Sequence, residues 1–370
     1  MIFIDWFSPA YKAGGPIQSV LNLVNQKIEG IQYKVICSNK DLGGELLQGV
    51  KYDKWIQFNS HTQVWYNSEN KTVLSLLKQL SKWEPDIFFI NGIYSFYYNF
   101  LPLVFGSKTK KIISARGMLH AGALSQKGLK KAVYLKIWKL LNIHRKNGFH
   151  ATNPEEEKFI RTVFGEKARV FVAQNLPRSL ESLPTTAKEI NHLHLISIGL
   201  ISPMKNYLET IKALAYCKGI VDYSIYGPVK DAAYWRQCKE EINKLPANIQ
   251  VHYRGDLPSQ KVQEVLNRAE VFVLPSKSEN FGHAIYEALT AGKPVITSHH
   301  TPWNNLQAAK AGFNISVEND YELSEAISSF ARMDSKELLE WADGAKTYAE
   351  KAIDINQIKE QYQKMFSNTV

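Results

Sequence analysis

Short apolar runs rich in β-branched and aromatic residues recur along the chain, and most lead into a stretch whose apolar residues repeat at helical spacing. In the first half, residues 2–5, 33–37, 63–66, 86–90, 111–114, 149–151 and 170–172 read as strands. Helices are predicted from Pro16, near 71–83, over 128–146 and from Asn153-Pro154, where Asn153 and the acids Glu155, Glu156 and Glu157 suit a helix start. In the second half, strands at 193–198, 223–226, 250–253, 271–274, 295–297 and 312–316 alternate with helices. Those helices start at Tyr207 and near Thr301, and cover about 234–245, 259–267, 282–291, 321–331 and 335–348, with a last one at 356–366. Strand–helix alternation predicts the α/β class with parallel sheets. The polar stretch 178–192, with Pro184 and no strong period, reads as a linker. The resulting division is a first α/β domain over 1–180, a linker over 181–192, a second such domain over 193–348 and a C-terminal helical tail over 349–370.

Length agrees with this division, since 370 residues suffice for two domains that each bury a core. No apolar run approaches the ~18–20 residues that span a membrane, and the strand-like start lacks the form of a signal peptide. Cys37, Cys217 and Cys238 are scattered and form no CxxC, which points to buried thiols in a reducing, cytoplasmic compartment. The net charge of +10 is uneven. Residues 1–185 hold 25 Lys and Arg against 13 Asp and Glu, whereas 186–370 hold 20 against 22. The first half therefore carries the positive field, which suits an anionic partner such as a phospholipid surface or a pyrophosphate-linked acceptor. No nucleic-acid-binding motif is present, and nucleic acid is not expected as a partner.

The densest chemistry lies in residues 275–297, PSKSENFGHAIYEALTAGKPVIT. A buried strand ends at Pro275, Gly282 opens a helix, Gly292 closes it and Pro294 begins the next strand. The loop thus sits at the carboxyl end of a parallel strand and the amino end of a helix, where open α/β sheets bind ligands and free N–H groups favour phosphate. Glu279 and Glu287 stand eight positions apart and would accept hydrogen bonds from sugar or ribose hydroxyls. Taken singly, each is also an ordinary solvated glutamate. No GxGxxG occurs, which argues against a nicotinamide or flavin dehydrogenase. No DxD triplet occurs either, so a diphosphate bound through Mg²⁺ or Mn²⁺ is not expected.

The arrangement of Glu279, Asn280-Phe281-Gly282, Glu287 and Gly292-Lys-Pro resembles the E-x7-E signature of retaining glycosyltransferases of the two-Rossmann-domain (GT-B) architecture, family 4 above all. The resemblance implies two Rossmann-like domains facing each other across a cleft, with the C-terminal helix crossing back to the first. It implies a retaining, metal-independent transfer of a sugar from a nucleoside diphosphate sugar to a glycan or lipid-linked acceptor in cell-surface polysaccharide biosynthesis. No cofactor is expected. The loop Gly199-Leu-Ile-Ser-Pro-Met-Lys205-Asn206 resembles the family's diphosphate-holding loop, so Lys205 would neutralise the leaving group. Leu200 stands where the family carries arginine, and Arg254 is a candidate to replace that charge. By the same resemblance Glu279 would bind donor-sugar hydroxyls, and Glu287 the ribose. Asn280, Phe281 and Gly282 would offer backbone contacts, Tyr226 would lie near the base, and Gly14-Gly15 would face the diphosphate.

Arg116 occupies the place of a family histidine that lies close to the donor sugar. It reads either as a contact to acceptor or leaving group or as a solvent-facing arginine. Residues 127–146 carry seven cations, no acid and a helical apolar stripe. They read either as a contact to an anionic membrane surface, placing the protein peripherally at the inner face of the plasma membrane, or as a helix packed on its own domain. A sugar-nucleotide epimerase or phosphorylase on the same fold, and a non-catalytic polysaccharide-assembly protein, are the competing classes.

Overall fold

The computed structural model describes residues 1–68, 75, 84–105, 109–120, 128–181 and 188–367. Apart from Ser75, the expected helix near 71–83 lies outside the described residues, as do Lys127 and linker residues 182–187. Packing separates two units, Met1–Leu176 with Ile355–Val370, and Pro177–Asp354. Residues 177–180, placed by the sequence in the first domain, pack with the second unit, as do 349–354. The latter follow from one continuous helix, Ser335–Ala352, whose buried Ala342, Ala345 and Ala349 carry the apolar stripe past 348.

The first unit is built on β1 (Ile2–Phe3), β2 (Tyr33–Ser38), β3 (Trp55–Asn59), β4 (Thr62–Asn67), β5 (Ile87–Asn91), β6 (Lys110–Ser114), β7 (Gly148–Ala151) and β8 (Val170–Val172), in the order β3-β4-β2-β1-β5-β6-β7-β8. All neighbours are parallel except β3 and β4, which form a hairpin through Ser60 and His61. The sequence reading missed β3 because this edge strand is only half-buried and lacks a strong apolar run. Trp138, Phe149 and Phe164 fill the core beside β7, with the Phe149 and Phe164 rings 4.8 Å apart. The basic segment forms two helices, Gly128–Leu140 and Ile143–Lys146, because Asn142 takes the left-handed conformation (φ 54°) between them. The C-terminal helix, Ile355–Ser367, belongs to this unit and buries Ile358, Tyr362 and Met365.

The second unit contains β9 (His192–Ile198), β10 (Ile220–Tyr226), β11 (Ile249–Tyr253), β12 (Val271–Leu274), β13 (Val295–Ser298) and β14 (Gly312–Ile315). Their order is β11-β10-β9-β12-β13-β14, wholly parallel. Numbered from β9, this is 3-2-1-4-5-6, the doubly wound Rossmann order. Strands β12 and β13 are buried on both faces, which is why their sequences are continuous apolar runs rather than alternating ones. The helix expected from Thr301 is absent. Thr301, Asn304 and Asn314 use their side chains to hold a turn, with Asn304 Nδ2 donating to the Thr301 carbonyl at 2.7 Å.

Candidate active site

In a doubly wound sheet the crevice opens where strand order reverses, here between β9 and β12. The two loops singled out in the sequence leave those two strands. After β9 the chain turns through a short 3₁₀ segment, Pro203–Lys205, and Asn206 at φ 62° starts the helix Tyr207–Leu214. After β12 it runs through Ser276 to Gly282 and enters the helix His283–Thr290. The Lys277 amide donates to the Met204 carbonyl at 2.8 Å, tying one loop to the other.

Lys205 and Glu279 meet at this junction. The Lys205 ammonium forms an ion pair with Glu279 Oε1, and the buried Ser276 hydroxyl donates to the same oxygen at 2.8 Å. Both side chains are mostly withdrawn from water, at 20% and 11% exposure, so their attraction is less screened than that of a surface pair. The carboxylate is oriented and the ammonium is held at the mouth of the crevice.

Gly282 caps the following helix at φ 76° and ψ 59°. A Cβ there would lie 3.1 Å from Ile285 Cδ1 and 3.3 Å from Trp303 Nε1, so both conformation and space favour glycine. The Phe281 carbonyl accepts from Trp303 Nε1 at 2.5 Å, and its ring lies 4.7 Å from His283 and 5.4 Å from Trp303. These contacts fix the peptide that precedes the helix N-terminus. Asn280 is half-buried in the same loop.

Glu287 has a different setting. It lies inside the helix, 5% exposed, and its Oε1 accepts from Arg178 Nε at 3.1 Å. Arg178 Nη1 also donates to the Ser259 carbonyl at 3.1 Å. Burial pushes the Glu287 carboxyl up to about 7, against the pull of the Arg178 charge and hydrogen bond. Each acid of the pair therefore has its own cation. Arg178 was not a site residue in the sequence reading, because it sits in a polar stretch without period and meets Glu287 only in the folded unit.

Tyr226 and Arg254 close the ends of β10 and β11, Tyr226 half-buried and Arg254 exposed. Between them Gly227, at φ 135°, lets two strand ends touch, since a Cβ there would fall 2.0 Å from the Gly199 carbonyl oxygen. The Tyr253 hydroxyl donates to the Gly227 carbonyl at 3.0 Å.

In the first unit, Arg116 follows β6. It is no free surface arginine: Nε and Nη2 donate to Asn91 Oδ1 at 3.1 and 2.9 Å, and Nη1 donates to Asn175 Oδ1 at 2.6 Å. Its guanidinium lies 6.0 Å from the Phe89 ring centre. The residue adopts φ 52°, a conformation costing roughly 1–2 kcal/mol for a residue with a side chain. Glu156 secures the next amide, Gly117, at 2.6 Å. The neighbouring His150 is buried between Ser114 and the Ala173 carbonyl, and burial together with Arg116 lowers it to about 3, so it stays neutral. Asn91 ends β5, beside the reversal of strand order between β1 and β5. Gly14 caps the helix Gly15–Asn25 at φ 69°, and a Cβ on Gly15 would meet open space. Asp5, at the end of β1, has its carboxyl raised by burial and was missed as a candidate because a lone acid after a strand carries no motif.

Residues 183–348 match the family described as glycosyl transferases group 1. Among curated proteins, WcaL of Escherichia coli (strain K12), by its name a candidate colanic acid biosynthesis glycosyltransferase, is 25% identical over 40% of this chain and 38% of its own length. Sucrose synthase of Melioribacter roseus is 28% identical over 33% of this chain and 16% of its own. The chain thus matches well under half the length of these curated relatives. Solved structures extend the likeness in fold to nearly all of the chain. HepE of Anabaena with UDP-glucose has a TM-score of 0.72 at 16% identity, covering 99% of this chain and 98% of its own. WaaG, a glycosyltransferase involved in lipopolysaccharide biosynthesis, has a TM-score of 0.67 at 14% identity over 99% and 98%. The two Rossmann-like units have the GT-B fold, and the family match together with that fold supports a glycosyltransferase of the GT-B type.

Proposed function

We propose that the protein is a retaining, metal-independent glycosyltransferase. It moves a sugar from a nucleoside diphosphate sugar to a glycan or lipid-linked acceptor in the making of a cell-surface polysaccharide. The observation that carries this reading is the Lys205–Glu279 pair at the switch point of the second sheet, beside the N-terminus of the helix His283–Thr290. The C–O bond between the anomeric carbon and the diphosphate breaks, and negative charge grows on the departing phosphate oxygen. The Lys205 ammonium and the positive end of the helix dipole answer that charge in place of a divalent cation. Glu279, already accepting from Lys205 and Ser276, is a weak nucleophile and a well-placed acceptor for a donor-sugar hydroxyl. That supports retention without a covalent enzyme intermediate. Arg178 engages Glu287 Oε1, which leaves Oε2 for a ribose hydroxyl. Asn280, Phe281 and Gly282 offer their backbone, Tyr226 borders the base, and Arg254 supplies the positive contact that Leu200 lacks. In the first unit Arg116 is assigned to the acceptor or the leaving group, and Gly14 and Gly15 to the diphosphate.

The first unit also supports attachment to an anionic membrane from the cytoplasmic side. The helix Gly128–Leu140 buries Leu135 and Trp138 in its own core, so the packed reading of this segment holds for one face. Another face leaves Val133, Ile137, Leu140 and Leu141 exposed at helical spacing beside Lys136 and Lys139. No helix among the described residues is long and apolar enough to cross a membrane. The test of the enzymatic reading is release of nucleoside diphosphate from UDP-, GDP-, ADP- and dTDP-sugars in the presence of chelator. Release that is acceptor-dependent and lost in Glu279→Ala supports it, and interconversion of the donor without release favours an epimerase.

A further inference from the structure

At the opposite end of the strands of the second sheet, their amino-terminal end, lies a cluster that the proposed transfer does not use. His192 and His194 stand two apart at the start of β9, so both imidazoles leave the same face of the strand. On the neighbouring strand Asp222 is the direct partner of His194 in the parallel register. His192 Nε2 lies 2.8 Å from Asp222 Oδ2, His194 Nδ1 lies 3.6 Å from the same oxygen, and the two rings are 4.7 Å apart. One ligand atom from each residue falls within 4.8 Å of the others. Because β9 is seven residues long and the candidate active site follows its carboxyl end, this cluster sits about 20 Å from Lys205.

We propose that His192, His194 and Asp222 bind a zinc-type divalent transition-metal ion that clamps β9 to β10. Two imidazole nitrogens and a carboxylate oxygen are the ligand types that zinc takes, with water completing a tetrahedral shell. Ligand atoms around such an ion stand about 3.3 Å apart for bonds of ~2.0–2.1 Å. The 3.6 Å contact already fits, and the 2.8 Å contact needs to open by about half an ångström. On binding, the metal replaces the proton shared between His192 Nε2 and Asp222. The remaining proton rests on His192 Nδ1, which faces Glu189 Oε2 at 3.6 Å, the outer carboxylate that commonly orients a ligating histidine. His194 is the most exposed of the three ligands, which gives the ion a path of entry.

The experiment is calorimetric titration of Zn²⁺ into the chelator-stripped full chain, repeated with His194→Ala and Asp222→Asn. Both variants replace solvent-reached side chains near the start of their strands, and circular dichroism checks that they fold. The expected result is one equivalent bound, weakened roughly tenfold or more in each variant. Co²⁺ should give a visible absorption that His194→Ala abolishes, and Mg²⁺ should give no saturable signal. Equal Zn²⁺ affinity in parent and variants, or no saturable binding up to about 100 µM in the parent, overturns the proposal. Sugar-nucleotide turnover should be the same in stripped and metal-loaded protein, so failure here and failure of the transferase reading are separate results.

Discussion

Lys205 and Glu279 lie 74 positions apart in sequence and form an ion pair where the strand order of the second sheet reverses. The loop after the first strand of that sheet supplies the cation and the loop after the fourth supplies the acid. Removing either partner strands the other in a poorly hydrated place. Lys205→Met should lower kcat/KM by about 10²–10³-fold, as expected for a group that meets leaving-group charge. Lys205→Met combined with Glu279→Gln should cost little more than the worse single change, because each side chain needs the other. Steady-state kinetics on the four proteins checks this, and strictly additive losses would mean that the pair does not act as a unit.

The buried acid Glu287 makes the second unit's stability depend on pH. Its folded value, about 7, lies above the ordinary value of 4.5. The folded state therefore holds a proton that the unfolded chain gives up between those two values, and this term falls as pH rises through that window. The full effect is about 3 kcal/mol. Glu287→Gln should flatten stability between pH 4.5 and 7, and Arg178→Met should raise the carboxyl further by removing its cation. Denaturant unfolding of the three proteins at several pH values gives the slopes, and a slope that Glu287→Gln leaves unchanged would contradict the assignment.

Much of this organisation is legible in the sequence, and what is not has identifiable causes. The unit β12, loop, helix His283–Thr290, β13 was predicted nearly residue by residue, because apolar runs, Gly282 and Gly292 act locally. Arg178 escaped notice because its partner Glu287 lies 109 positions away and nothing near Arg178 marks it. Trp303 was read as the start of a helix. Its indole instead spans to the Phe281 carbonyl, a tertiary bond that local propensity does not contain. The environment of Arg116 was equally hidden, since Asn91 and Asn175 come from two other strand ends. His192, His194 and Asp222 became a cluster only once the register of β9 and β10 was known.

Gly227 offers a test of the strand-end geometry that frames the crevice. A methyl group there would meet the Gly199 carbonyl at 2.0 Å, and φ is 135°. Backbone would have to move, so Gly227→Ala should destabilise the second unit by more than ~3 kcal/mol. Gly15→Ala, with open space at its Cβ, should change stability by less than ~1 kcal/mol. Thermal melts of both variants distinguish a steric need from a general intolerance of alanine.

The exposed stripe on the helix Gly128–Leu140 should govern membrane attachment. Ile137→Glu with Leu140→Glu places two acids among apolar residues that already face solvent, so folding should survive. Sedimentation with anionic liposomes should fall several-fold, and added salt should weaken what remains. Unchanged sedimentation would assign the stripe to some other contact.

The central claim is that the second unit grips a diphosphate-activated sugar through Lys205. Calorimetric titration of nucleoside diphosphate sugars into the parent protein and Lys205→Met, both in chelator, tests it most directly. The account predicts saturable binding of at least one donor to the parent, weakened tenfold or more in the variant. Equal affinity in the two proteins would contradict it.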